Sequence, residues 1–205
     1  MLTRRHFIWT SAMALSAAQT GPLLAQAIQV AAPALPAITL PPVREGNYAI
    51  PERFHAQIVN VRPEFAAGQI HILPASYNLY YTLGEGLAIR YGVAVGREGL
   101  LWRGQGTIAR KVEWPSWRPT DEMIARNPAA YERYKDGMPG GPTNPLGARA
   151  LYVFQGNVDT YIRVHGTTEP ATIGSSASNG CFRMYNGHVT DLYDRVALGT
   201  TFYAY

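Results

Sequence analysis

Leu79-Tyr80-Tyr81-Thr82-Leu83-Gly84-Glu85-Gly86-Leu87-Ala88-Ile89-Arg90-Tyr91-Gly92-Val93-Ala94-Val95 decides the fold class. The first five residues are aromatic, β-branched or leucine, the composition of a half-buried strand. Gly84-Glu85-Gly86 supplies glycines where a tight turn needs positive φ, and Leu87 to Val95 returns as a second strand. The stretch therefore reads as a β-hairpin. Working outward, Ile58, Val59 and Val61 make a short strand. Ile70 and Ile72 alternate with Gln69 and His71 until Pro74 stops the run. Further strands are expected at Thr107 to Trp114, Tyr152 to Phe154, Thr160 to His165 and Thr201 to Tyr205. So many short strands between turns predict a mainly β domain with a sandwich or barrel-like sheet. Only two short helices are expected. Pro119 to Arg126 has Thr120 as N-cap and Asp121 and Glu122 in its first turn. Asn186 to Val196 has Asn186 as cap and Val189, Leu192, Tyr193 and Val196 on one face. Between them, Gly137-Met138-Pro139-Gly140-Gly141-Pro142 to Pro145 has the composition of a binding loop or lid.

Composition agrees with one compact domain. The chain has 205 residues, 47% of them hydrophobic and only 16% charged. That length supports one core rather than two. The net charge of +4 suits an anionic partner without choosing one. No dense run of interleaved basic and aromatic residues argues for nucleic acid.

The two ends of the N-terminal region differ in character. Thr3-Arg4-Arg5-His6-Phe7-Ile8, the apolar run to Ala18 and Ala25-Gln26-Ala27 read as a signal peptide over residues 1–27, with paired arginines of the twin-arginine type. The apolar run is shorter than the roughly 20 residues that span a bilayer, so the mature chain is not expected to be transmembrane, and its expected place is the periplasm or cell envelope. Residues 28–56 hold Pro33, Pro36, Pro41, Pro42 and Pro51, and read as a Pro/Ala-rich linker to a domain at 57–205.

Chemistry gathers around the single cysteine, Cys181. A lone thiol in an exported chain is inert in a core, paired between chains, or reactive. A free thiol is only a few per cent thiolate at neutral pH, so a nucleophilic cysteine needs a base, and His165 at the expected end of a strand is in position to be one through a thiolate–imidazolium pair. Gly180 lets the backbone turn sharply beside the thiol, and the amides around it are suited to an oxyanion. A metal site using Cys181, His165 and His188 matches no common zinc spacing, and no metal or cofactor is expected.

His165-Gly166-Thr167, ten residues, then Ser178-Asn179-Gly180-Cys181-Phe182-Arg183-Met184 resembles the signature of the YkuD-type L,D-transpeptidases. Ile108 to Trp117 and Gly137 to Ala150 also resemble stretches of that family, and the resemblance covers about Gln57 to Tyr205. It implies a mainly β YkuD-like catalytic domain acting on peptidoglycan stem peptides. Cys181 would be the nucleophile on the L-centre carbonyl of the third residue of a tetrapeptide stem, diaminopimelate in such a wall. His165 would be the base, and the Gly166 carbonyl would fix its tautomer. Ser178 would shape the loop, and Arg183 would clamp a stem carboxylate or brace the loop. Trp114, Trp117 and Tyr152 are candidates for the groove. The family most often has histidine where this chain has Asn179, which can orient a substrate or the loop but cannot serve as a base. The acyl acceptor is left open: an amine giving a 3→3 crosslink, an outer-membrane protein, a free D-amino acid, or water. Water would make the protein an L,D-carboxypeptidase or endopeptidase, and an unreactive Cys181 would leave a wall-binding module. Carbapenems are expected to acylate Cys181.

Overall fold

The computed structural model describes residues 38–205, and one compact unit runs from Thr39 to Tyr205. The signal-peptide reading at 1–27 and the first part of the linker lie outside the described residues. In chain order the strands are β1 (Arg44–Glu45), β2 (Tyr48–Ala49), β3 (Gln57–Asn60), β4 (Ile70–Leu73), β5 (Asn78–Gly84), β6 (Leu87–Gly92), β7 (Val95–Gly96), β8 (Gly104–Glu113), β9 (Arg149–Gln155), β10 (Val158–His165), β11 (Ser176–Ser178), β12 (Phe182–Arg183) and β13 (Thr201–Ala204). The α-helices are α1 (Asp121–Arg126), α2 (Pro128–Tyr131) and α3 (Asn186–Arg195). The chain is thus mainly β, with one more helix than the sequence predicts.

Nine strands form one sheet in the order β12-β10-β9-β8-β13-β4-β5-β6-β3. The hairpin read from Leu79 to Val95 is β5–β6, with Leu79 opposite Tyr91 and Tyr81 opposite Ile89. Gly84, Glu85 and Gly86 turn it with φ of +87°, +52° and +73°, so glycine flanks the one side chain that bears a left-handed backbone. The sheet is not closed. Two hydrogen bonds between Ala94 and Arg183, of 2.9 and 3.0 Å, tie the chain just past β6 to the β12 edge. Beside this seam, β7 and β11 pair in parallel as a separate two-stranded sheet.

Ile70, Ile72, Leu79, Ile89, Tyr91, Ile108, Leu151, Val153, Val164, Phe182 and Phe202 are wholly buried. Each such aliphatic side chain contributes about 1.5–3 kcal/mol relative to exposure. α3 packs against β9 and β10. Val189 and Leu192 of its expected face are buried with Val196 just beyond it, whereas Tyr193 lies under the Lys111 ammonium, 4.3 Å from its ring centre.

Two expectations are corrected. Asn186 does not cap α3, whose N-cap is Tyr185. Its carboxamide instead accepts from the Ala148 amide at 2.9 Å and donates to the Thr167 carbonyl at 2.8 Å, joining the loops after β10 and before β9. Residues 39–56, assigned to the linker, are part of the compact unit. β1 and β2 form a small hairpin, and Ile50 and Phe54 are buried with Ala94, Ile173 and Tyr185. Proline density correctly excludes long elements there, but it does not report on burial of the apolar residues between the prolines.

Candidate active site

β10 and β12 run side by side in parallel, with Val164 opposite Phe182 and His165 opposite Arg183. Val164 and Phe182 are fully buried and face the core. Side chains alternate along a strand, so Arg163 and His165 on β10, and Cys181 and Arg183 on and beside β12, point to the opposite face. All four line a groove of about 1110 Å³, with Ser178, Asn179, Trp117 and Tyr152 along its walls. That volume exceeds what a drug-sized ligand fills.

His165 is buried, and its Nδ1 lies 2.7 Å from the Gly166 carbonyl oxygen. A carbonyl only accepts, so the proton is on Nδ1 and the lone pair is on Nε2. Burial, and then the positive charge of Arg183, push the His165 pKa down to about 4. Cys181 is partly exposed, and its Sγ lies 3.5 Å from the Tyr161 carbonyl. Burial raises the thiol above its ordinary value, although the Arg163 amide and the Arg163 and Arg183 guanidiniums pull the other way. The thiol meets the Tyr161 carbonyl, and its surroundings work against the thiolate as those of His165 work against the imidazolium. Desolvation disfavours both ions, and the two arginines add to the cost of the imidazolium.

Ser178 holds the turn that carries Cys181. Its hydroxyl donates to the Cys181 carbonyl at 2.5 Å and accepts from the Gly180 amide at 3.1 Å. Gly180 has φ +123°, a conformation that side chains rarely adopt. Arg183 pairs with Glu169 at 2.7 Å, bracing β12 against the loop that follows His165 while still lining the groove. Trp114 is 46% exposed and lies outside the groove lining. Its φ of +44° turns it away at the end of β8, and this candidate is corrected. His188 is likewise remote, buried between Tyr91 and Tyr185. Among the described residues no three His, Cys, Asp or Glu side chains gather as metal ligands.

The sequence reading missed Arg163, Asp159, Tyr161, Arg126 and Tyr131. Arg163 is bidentate to Asp159 at 2.6 and 2.7 Å and sits 4.1 Å over the Tyr152 ring. Burial raises the Asp159 carboxyl, but hydrogen bonds from Arg163 and the Tyr161 amide more than reverse this and hold it below its usual value. Asp159 accepts from the Tyr161 amide at 2.8 Å, within an irregularity of β10 between Asp159 and Arg163. There Tyr161 takes φ +60°, and its carbonyl is the one that meets the thiol. The period of two places Arg163 on the His165 face and was the available signal. Arg126 and Tyr131 reach the site across the sequence: Arg126 donates to Asn179 Oδ1 at 3.1 Å, and Asn179 Nδ2 donates to the Tyr131 hydroxyl at 2.9 Å.

The family model for the L,D-transpeptidase catalytic domain (YkuD) matches residues 67–203. A Fuscovulum blasticum protein described as an L,D-transpeptidase in its ATP synthase subunits region is 39% identical over 103 residues, half of each chain. Escherichia coli YbiS, described as a probable L,D-transpeptidase, is 33% identical over 125 residues, 59% of this chain and 39% of that protein. The chain thus spans half or less of these two relatives. Among solved structures, a Brucella melitensis protein described as a probable carnitine operon oxidoreductase is 56% identical, with TM-score 0.53 over 77% of this chain and 97% of that one. An Enterococcus faecium L,D-transpeptidase shares the fold at 12% identity, with TM-score 0.52 over 69% of this chain and 50% of that one.

Proposed function

The chain belongs to the YkuD L,D-transpeptidase catalytic-domain family, and from that premise we propose that it is a cysteine acyltransferase acting on peptidoglycan stem peptides. The observation that carries the reading is the register of β10 and β12. It sets Cys181 and His165 on one face of adjoining strands, two positions apart, in one groove.

In this mechanism the stem carbonyl at the L-centre of the third residue enters above Cys181. The thiol proton passes to His165 Nε2 as Sγ bonds to the carbonyl carbon, so the ions appear only as the bond forms. The guanidiniums of Arg163 and Arg183 favour the negative charge that develops there, and the Cys181 amide serves the oxyanion, the Gly180 amide being bonded to the Ser178 hydroxyl. Collapse expels the amine of the terminal D-Ala, which takes the proton from His165 and leaves a thioester. An acceptor amine then attacks, His165 accepts its proton, and a new amide forms with Cys181 regenerated. Gly166 keeps Nδ1 protonated throughout, in the place a carboxylate takes in other triads. A diaminopimelate side chain as acceptor gives a 3→3 crosslink, an amine of an outer-membrane protein gives an anchored protein, and water gives a tripeptide. A carbapenem carbonyl presented to the same thiol gives a stable acyl adduct. Export to the periplasm, through a leader at residues 1–27, belongs to the same proposal.

The oxidoreductase description of the Brucella relative finds no matching dinucleotide motif. Gly104-Gln105-Gly106-Thr107-Ile108-Ala109 has the glycine spacing, but it lies inside β8 instead of at a strand-to-helix turn.

The test is to incubate residues 28–205 with purified disaccharide-tetrapeptide and to follow products by mass spectrometry, with Cys181→Ala as control. A crosslinked dimer with loss of D-Ala, absent in the control, is expected. Unchanged turnover by Cys181→Ala would remove the proposal.

A further inference from the structure

The segment 116–146 lines the groove that also holds Cys181, and two of its side chains are tied to the residue where this chain departs from its family. Arg126 has no carboxylate within 4.0 Å among the described residues. Of the other groove arginines, Arg118, Arg163 and Arg183 are paired with Asp121, Asp159 and Glu169, and Arg133 lies over the Tyr134 ring at 4.6 Å. The one side-chain hydrogen bond of Arg126 goes to Asn179 Oδ1, at 3.1 Å. The orientation of that carboxamide is fixed chemically. A guanidinium only donates, so Oδ1 must face Arg126 and Nδ2 must face Tyr131. The Tyr131 hydroxyl therefore accepts from Asn179 at 2.9 Å and keeps its own proton for another acceptor. Trp117 braces the Tyr131 ring edge-on, with centroids 6.3 Å apart. Asn179 thus holds a guanidinium and a phenol together, two residues from the nucleophile, with their remaining donors unspent. Both line the groove.

The geometry points to Arg126 and Tyr131 as a carboxylate-recognition pair for the donor stem, with Asn179 as the positioning residue that aligns them. This rests on the stem-peptide reading above and deepens it. A guanidinium matches a carboxylate in two parallel hydrogen bonds, and a phenol adds a third. The leaving residue's carboxylate lies three bonds beyond the attacked carbonyl carbon. The distal carboxylate of the third residue is the other source of the same chemistry.

The test compares three synthetic donors: the tetrapeptide stem with free carboxylates, its C-terminal amide, and the stem amidated at the third residue's side chain. The wild-type protein is expected to prefer the free stem over one of the amides by about tenfold to a hundredfold in kcat/KM, the range of a charge-assisted hydrogen bond. Whichever amide is rejected identifies the carboxylate. In Arg126→Gln that preference should collapse towards unity, mainly through KM, and Arg126→Lys should keep part of it. Asn179→Ala should weaken the preference without abolishing turnover. A preference that survives Arg126→Gln, or an equal loss on all three donors, overturns the assignment. Wild-type protein that turns over none of the three overturns the stem-peptide reading and this inference with it. Failure of the inference alone leaves wild-type turnover intact.

Discussion

At Gly180 the backbone carries φ +123°, and an added Cβ would stand 3.3 Å from the Leu100 carbonyl. Gly180→Ala is therefore expected to cost about 1–3 kcal/mol and to lower kcat more than it raises KM, because it moves the turn that sets Sγ and the Cys181 amide. Steady-state kinetics with a urea titration would show both. The burial of the thiol and the imidazole makes a second prediction. With the thiol raised by burial, alkylation of Cys181 by iodoacetamide at pH 7 should be slower than that of a free cysteine and should climb only above about pH 8.5. Since His165 is neutral until the pH nears 4, the acid limb of kcat/KM assigned to it should also fall far below the usual histidine value. Fast, pH-independent alkylation at pH 6–7 would show a preformed ion pair instead. Cys181, His165 and Ser178 were legible because their signature is local in sequence. Arg126 and Tyr131 were not, since they meet Asn179 from 53 and 48 residues away, and no period within α1 or α2 announces a tertiary hydrogen bond.

Among elements, the strands read from alternation and the hairpin read from its glycines agree with β4, β5, β6, β8, β9, β10 and β13. Thr120 caps α1 as expected, accepting from the Met123 amide at 3.2 Å. The very short β7, β11 and β12 escaped because two or three residues carry no period. They exist only through partners, as where Ala94 meets Arg183. α3 shows what periodicity leaves out. It carries His188, fully buried, with neither ring nitrogen hydrogen-bonded, and burial pushes its pKa down to about 4. His165 is depressed in the same way. Between pH 6.5 and 4 the unfolded chain binds protons at these two sites that the native chain does not. The stability present above pH 6.5 is thus lost as pH falls towards 4, by on the order of 3 kcal/mol per histidine. Urea midpoints measured from pH 7.5 to 4.5 should fall steeply, and His188→Leu should flatten the slope. Equal slopes in both proteins would show that His188 is protonated at no cost in the native state.

For the molecule as a whole, the sequence boundary at Gln57 cuts through a packed unit. Phe54 fills a slot floored by two glycines, since a Cβ on Gly174 would stand 2.1 Å from its ring and one on Gly92 2.7 Å. The slot lies against Ala94, one partner of the bridge that joins the sheet to β12 and so to the Cys181 turn. Phe54→Ala is expected to cost about 3–5 kcal/mol, and a chain beginning at Gln57 should unfold at markedly lower urea than one beginning at Gln29. Matching midpoints would show that the arm is a passive tether. Composition reads a proline-rich segment as a spacer because proline excludes regular elements, but extended chain can still bury an aromatic ring.

The position of β13 has its own consequence. Thr201–Ala204 lies between β8 and β4, so it joins β4, β5, β6 and β3 on one side to β8, β9, β10 and β12 on the other. Everything needed for each half is made earlier on the ribosome, yet the halves share no strand until this segment emerges. Assembly of the sheet must wait until this segment has been made, and that step closes contacts between residues more than a hundred positions apart, as where Phe202 meets Ile70. Such contacts form slowly because the chain between them must first be ordered. The nascent protein is therefore held open for longer than its local hairpins would suggest.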